Sequence, residues 1–467
     1  MNNQLLLSLF ASLVFCFAGV SGFTQEEGNT KTENAKTAET KAAETKADAK
    51  AADAEKAVET PATQEGASRP EVGGEIPNSG KLAKPDAPQG PTAEEKAAKE
   101  KLAKERAEKK TAHEKVMKAA KTGEVVTLLD ELKNPTGVAI QPETGHVFVA
   151  DSGNFRVVRF ADGMMEPVIT DFPKDKYGKD PTFDVGPLGL LFLDKTTLVV
   201  GGGGKPDGEE MLRVYKIAEL GSDPIKADKM HGEAKMLPAA DEVVGEGNFY
   251  GLAKGDKGIY VTCNGDDVKG WVSIATVEAD KKLKEFARKI PTKELVEIDA
   301  PVAITISPEG HITVGQMGEI NEAGDSQLTF YDEEGEMLAN FALKLNDISG
   351  LAYGPKFGRL FATDFNWLDE DNGGLYKIIG VGDSGCKTEE MAKLKRPTAL
   401  AFDPEGNLFV TLSGDADKPN GQLVVIKGLD VDQKEKERLE KEAKEKQAKA
   451  KEEKAAKEKE AAEEDDK

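Results

Sequence analysis

A short pattern recurs six times between residues 135 and 402, and no other feature restricts the fold as tightly. Each copy opens with an apolar strand that carries one small residue. The copies are PTGVAI from Pro135, PLGLLF from Pro187, FYGLAK from Phe249, PVAITI from Pro301, ISGLAY from Ile348 and PTALAF from Pro397. The small residues are Gly137, Gly189, Gly251, Ala303, Gly350 and Ala399, spaced 52, 62, 52, 47 and 49 residues apart. A second strand follows in every unit, as in HVFVADSG from His146 or NLFVTLSG from Asn407, and then a third, as in FRVVRF or GQLVVIKG. Pro and Gly at turn positions join the first two strands in QPETG, SPEG, GPKFG and DPEG. A fixed period of this length means that each unit buries its apolar face against its neighbours.

Six units of three or four antiparallel strands, cut by Gly-rich turns, predict an all-β fold, a six-bladed β-propeller. A TIM barrel is disfavoured because no helical pattern separates the strands. The units are too short for tandem immunoglobulin-like domains. The small residues belong on inner strands, which crowd around the central channel. The sixth unit stops near Gly428 without a fourth strand, and a strand-like segment without a unit of its own, Val125 to Leu129, precedes the first. That segment is expected to close the ring as the outer strand of the sixth blade and so remove an open edge.

The first unit, NPTGVAIQPETGHVFVADSGNFRVVRF at 134–160, resembles an NHL repeat. Pro135, Gly137, Val138, Ala139, Val149, Ala150, Asp151, Ser152, Gly153, Asn154, Arg156 and Val157 carry the likeness. The sixth unit resembles it moderately, without the D-S-G-N run, and the other four do so by position. The resemblance implies a six-bladed NHL-type propeller over 124–428. It implies little about activity, since NHL-like propellers include protein-binding, RNA-binding, lactonase-like and lyase members.

The flanks read differently. Residues 1–22 combine an apolar run from Leu5 with Val20 and Gly22 before a cleavage point at Phe23, the pattern of a signal peptide. Export to the periplasm, cell surface or extracellular space is therefore expected, with no transmembrane span after cleavage. Lipidation at Cys16 is a second reading, against which Phe15 stands where a small residue is wanted. Residues 23–122 form a low-complexity Ala/Lys/Glu-rich segment that buries too little apolar surface to offset its chain entropy. Disorder is expected up to about residue 91, then a helix from Thr92, capped by the T-A-E-E box and too poor in apolar residues (Leu102, Val116, Met117) to make core. Residues 430–467, with Glu and Lys at helical spacing, predict a charged, solvated, coiled-coil-like helix without a seam. Both tails read as spacers, with envelope contact as the alternative. The tails are close to charge balance, so about −19 of the net charge of −22 belongs to the 123–429 propeller. That sets the chain against nucleic-acid partners.

In a propeller, the loops entering first strands and those joining second to third strands share one face. The entry positions are Asn134, Gly186, Asn248, Ala300, Asp347 and Arg396. The second-to-third loops begin at Asp151, Gly201, Asn264, Gln316, Asp364 and Ser413 and add Asp266, Asp267, Asn366, Asp369, Asp371, Asp415 and Asp417. The face should be acidic and rich in amides. Hard cations take such oxygens. Calcium is the candidate ion, with Asn134, Asn248, Asp347 and Asp364 as its ligands, an arrangement similar to that of gluconolactonase-like propellers. Those propellers supply an early-blade Glu that is not recognisable here. The competing reading is turn chemistry, because Asp, Asn and Gly favour turns in any protein; Asp151 sits where NHL repeats tie one blade together.

Other motifs give little. Gly201 to Gly204 lacks the Lys and the helix of a phosphate loop and reads as a flexible turn. Asp415-Ala416-Asp417 lacks the closing Glu of an EF-hand. His146 and His311 lie three units apart, and His231 has no evident partner. Cys263 and Cys386 read as lone thiols, and Trp271 and Trp367 as core or channel-rim aromatics. No serine-hydrolase elbow is present, and the Trp motifs of quinone-dependent propellers are absent. Two functions are carried forward. One is a non-catalytic binding or scaffold module that takes a protein, peptide or glycan on its acidic face. The alternative is a calcium-dependent lactonase or esterase, with Asp347 or Asp364 as base.

Overall fold

The computed structural model describes residues 92–431 apart from 179, 207, 237–246, 264–269 and 383–384. The signal-peptide segment, the low-complexity stretch to residue 91, residues 432–467 of the charged tail and the loop residues Asn264, Asp266 and Asp267 lie outside the described residues.

Six sheets form the six blades, antiparallel except that the short strand Ile225–Lys226 pairs parallel on the outer edge of blade 1, and their inner strands open at Pro135, Pro187, Leu252, Pro301, Ile348 and Pro397. Blade 3 begins later than its repeat suggested, because 249–251 is not strand. The second strands are buried along their whole length, as in Val147–Asp151, Ile259–Cys263 and Leu408–Leu412. Burial on both faces explains why they read as continuous apolar runs rather than alternating ones.

Each neighbouring pair of blades shares its own core. Phe148 and Tyr215 pack between blades 1 and 2, Phe249 and Phe286 between 2 and 3, and Tyr260 and Tyr331 between 3 and 4. Ile348 and Leu328 join blades 4 and 5, Phe361 and Leu408 join 5 and 6, and Leu423 and Val149 close 6 onto 1. The closure is the expected one. Val125–Leu132 pairs antiparallel with Gly421–Ile426, with Val125 opposite Ile426, so the N-terminal strand supplies the outer edge of blade 6.

All six small residues line one channel waist of about 70 Å³. Their cause is the next blade. A Cβ on Gly137 would stand 2.2 Å from the carbonyl oxygen of Leu188, and one on Gly189 2.3 Å from that of Tyr250. Hydroxyls of three inner strands, and Thr262 of the second strand of blade 3, then tie blade to blade. Thr136 donates to the carbonyl of Pro187 at 3.2 Å, Thr262 to Val302 at 2.9 Å, Ser349 to Pro397 at 2.6 Å and Thr398 to Pro135 at 2.7 Å. Each such bond is worth about 1 kcal/mol.

Outside the ring, the helix Ala93–Ala119 forms where expected, but it does contribute to a core. Met117 packs against the cluster between blades 6 and 1, His113 stacks edge-on against Phe160, and Arg106 bonds Glu166 at 3.0 Å. Its contact face recurs every three to four residues and leaves Leu102 and Val116 exposed, so the apolar count missed the contribution of the polar side chains. Gly201 and Gly202 are strand rather than flexible turn, since a Cβ on Gly201 would meet the carbonyl of Phe249 at 2.0 Å. His231 has a partner after all, its Nε2 lying 3.1 Å from the carbonyl of Asp280. Cys263 and Cys386 are buried thiols outside any disulfide, and Cys263 Sγ lies 3.3 Å from Ser273 Oγ. Among the described residues no helix is long and apolar enough to cross a membrane.

Candidate functional site

The entry residue of each inner strand must turn the chain sharply into the channel. Asn134, Asn248, Ala300 and Arg396 do so with φ of 43°, 51°, 53° and 46°. Asn tolerates this left-handed backbone better than most residues, so turn chemistry accounts for its choice at two of these positions.

The ends of the second strands hold these entry turns in place. In blade 1, Asp151 is fully buried and its Oδ1 accepts the backbone N–H of Lys133 at 2.7 Å. Its Oδ2 accepts from Arg156 Nε at 2.7 Å and from Asn154 Nδ2 at 2.9 Å. Every oxygen is used and the charge is paired. This is the tie that the D-S-G-N-x-R run encodes. Blade 1 of this six-bladed propeller is an NHL repeat. The NHL repeat family matches residues 132–160, which are blade 1 up to the end of its third strand. No curated protein sequence matches the chain.

Solved structures are similar to this chain at low identity. The PQQ-bound aldose sugar dehydrogenase of Streptomyces coelicolor is 14% identical with a TM-score of 0.44, over 65% of this chain and 97% of that one. A Xanthomonas campestris gluconolactonase is 14% identical with a TM-score of 0.43, over 64% and 88%. The apo-form of the soluble aldose sugar dehydrogenase of Escherichia coli is 12% identical with a TM-score of 0.43, over 65% and 98%. Likeness at this level carries no argument about activity.

Blade 5 repeats the NHL tie with different chemistry. Asp364 stands where Asp151 does, and its Oδ1 accepts the backbone N–H of Asp347 at 2.8 Å while Oδ2 accepts that of Asn346 at 3.2 Å. No arginine lies opposite, because Gly374 faces Asp364 where Arg156 faces Asp151. The entry position of Asn134 is held by a second carboxylate, Asp347, which is 2% exposed. Its Oδ2 accepts the backbone N–H of Trp367 at 2.5 Å, and its Oδ1 is buried with no partner. Burial, with the charges of Asp364 and Asp325 behind it, pushes the Asp347 carboxyl up to about 7. Burial also raises that of Asp364.

The purpose of the two entry residues becomes visible above the channel. A two-stranded hairpin, Asp175–Tyr177 with Phe183–Val185, leaves the ring between blades 1 and 2 and crosses the mouth. A hairpin of this size is not stable alone. Asn134 Nδ2 donates to the carbonyl of Asp184 at 3.0 Å, and the Asp184 carboxylate takes Lys133 at 2.6 Å and Lys176 at 3.0 Å. On the opposite side, Asp347 fixes the backbone of Trp367. The two halves meet as an aromatic roof. Phe183 lies edge-on to Trp367 at 5.6 Å and to Phe365 at 6.3 Å, and Trp367 Nε1 donates to the carbonyl of Asp180 at 3.3 Å. The Arg396 guanidinium covers Phe183 at 5.7 Å.

Beneath the roof is a cavity of about 90 Å³. Val185, Leu188 and Met317 form its walls, and Tyr250 and Val302 form a floor shared with the channel waist. The structure therefore distributes the four sequence candidates as follows. Asn134 and Asn248 are on the wall of this cavity, and Asp347 and Asp364 are side by side in the entry of blade 5. Among the described residues no three His, Cys, Asp or Glu side chains gather as a metal cluster.

The rim is less acidic than its composition. Asp415 pairs with Lys418 at 2.8 Å and Glu370 with Arg396 and Lys395 at 2.7 Å each, which leaves Asp371 and Asp417 among the exposed carboxylates. Trp367 turns out to be a rim aromatic, while Trp271 packs on the core between blades 2 and 3. Sequence reasoning missed Phe183, Phe365, Tyr250 and Met317. The signal was faint: single aromatics inside polar loops, as in KDPTFDVGP and TDFNWLDED.

Proposed function

We propose that this chain is an exported NHL-type propeller that acts as a non-catalytic binding module, with the channel mouth as its binding site. One observation carries the reading. The mouth carries a recessed, mostly apolar cavity under an aromatic roof, and Asn134 and Asp347 hold the backbone of the two segments that form that roof. A concave, mostly apolar site with a few polar groups at its edge is the usual form of a ligand pocket. The ligand is a protein, peptide or glycan that covers the rim loops, and the tails serve as spacers, with the envelope as a second place of contact. Surface-immobilised full-length protein, offered peptide and glycan panels, tests it. Binding should weaken on replacing Phe183 or Trp367 and survive chelation. Binding that is indifferent to both roof residues would refute the site.

A calcium-dependent lactonase or esterase is the second reading, favoured by Asp347 Oδ1, a buried oxygen without a partner on a carboxyl raised to about 7. Perturbed carboxylates of this kind mark functional sites. Asp347 would hold the ion through Oδ1, with Asn134, Asn248 and Asp364 as the remaining ligands of the set, and bound calcium would polarise a carbonyl. Calcium content of the purified chain and of Asp347→Ala decides this. Unchanged metal content in the variant removes Asp347 as ligand, and lactone turnover that disappears with chelation supports the enzyme.

A further inference from the structure

The chemistry of the cavity restricts its ligand further than the fold does. Its hydroxyl groups are already committed: Thr136, Ser349 and Thr398 each bond a backbone carbonyl of the neighbouring blade. The Tyr250 hydroxyl is engaged with Thr398 and held by burial well above its ordinary range. Asn134 spends its amide N–H on the hairpin. Apart from the amides of Asn134 and Asn248 on the wall, what faces the space is apolar: Val185, Leu188, Val302 and Met317, under the ring edges of Phe183 and Trp367. A sugar hydroxyl or a carboxylate placed against these apolar walls would lose its water without gaining a partner.

We propose that the cavity binds a small apolar group, up to the size of a single hydrocarbon ring, either as a free molecule or as the apolar end of a larger ligand. This rests on the reading that the channel mouth is the binding site and names what enters it. Size sets the rest. The space is about 90 Å³, against about 150 Å³ for an apolar protein cavity that stays dry and takes benzene or xenon. Xenon fits the cavity as it stands. A ring fits when the roof yields, and the roof is made of two segments that meet through ring edges and a hydrogen bond from Trp367 to Asp180. Trp367 is therefore the residue that limits ligand size.

The test uses the full-length chain with xenon and benzene as probes, read by xenon NMR exchange and ligand-observed proton NMR. Both should bind saturably at one site. Met317→Trp fills the space from the wall and should weaken both by about tenfold or more. Trp367→Ala enlarges it and should tighten benzene while leaving xenon unimproved. If Met317→Trp does not fold, Val302→Phe fills the same space from the floor. Absence of saturable binding by the folded wild type, or equal binding by a folded filled variant, overturns the inference. The wider reading fails separately. Peptide or glycan binding that persists in a filled variant leaves the mouth as the site and removes the apolar ligand. Benzene binding that responds to Met317→Trp, with no ligand touching the rim, keeps the apolar cavity and removes the binding module.

Discussion

Blades 1 and 5 solve the same backbone problem with opposite electrostatics. In each, an aspartate at the end of the second strand accepts backbone N–H groups from the entry of the inner strand. In blade 1 that aspartate also meets Arg156 and Asn154, and the entry residue is the neutral Asn134. In blade 5 the arginine position is Gly374 and the entry residue is Asp347, so two buried carboxylates stand together without a cation. Blade 1 is built for stability. Blade 5 gives stability away at the edge of the cavity, which is where departures from local consistency mark function.

The comparison breaks most visibly at Asp151. Asp151→Ala leaves the Lys133 N–H and the Arg156 guanidinium without their acceptor and should cost about 3–5 kcal/mol in urea unfolding. A loss under 1 kcal/mol would mean that blade 1 does not depend on the tie.

Asp347→Asn should act in the other direction. The folded carboxyl is raised to about 7 from an ordinary 3.8. Below about pH 4 both folded and unfolded chains hold the proton and no penalty exists. As pH rises, the unfolded chain ionises first and the folded state loses stability until about pH 7, where the penalty levels off. The neutral amide escapes it, so the variant should be the more stable at pH 8, by a few kcal/mol at about 1.4 kcal/mol per unit of displacement, and near wild type at pH 4. Glu210, also raised to about 7 by burial, contributes the same slope to both proteins and cancels in the difference. A gain that does not vary with pH would point to packing instead.

Arg156→Met carries blade 5's chemistry into blade 1. Arg156 is 28% exposed, so screening limits the loss to about 1–2 kcal/mol in urea unfolding. The smallest effect belongs to the helix on the outer edge of blade 1. Arg106→Ala should cost at most about 1 kcal/mol, because Glu166 keeps Arg159, and should appear as faster hydrogen exchange over Ala93–Ala119 alone.

The ring was legible because repetition is redundant. Six copies fix the period even where single units drift, and the unclaimed strand at Val125 announces the closure. Blade 1 was legible as a motif because Asp151, Asn154 and Arg156 form one local network within six residues. The site was legible by position and opaque by role. Asn134, Asn248, Asp347 and Asp364 fall at the mouth as expected, yet Asn134 and Asp347 act on backbone atoms of the hairpin and of Trp367, and a backbone acceptor leaves no trace in composition. The roof was hidden for the same reason. Phe183 and Phe365 lie about 180 residues apart in irregular loops, and only the closed ring brings them within 6.3 Å.

The most direct measurement is a carboxyl-resolved NMR titration of Asp347 in the full-length chain. The structure predicts a midpoint near 7, because burial beside Asp364 disfavours the charge and no cation compensates. A midpoint in the ordinary aspartate range would contradict the account: the blade 5 entry would then be as well satisfied as that of blade 1, and the unpaired oxygen at the mouth would mark nothing.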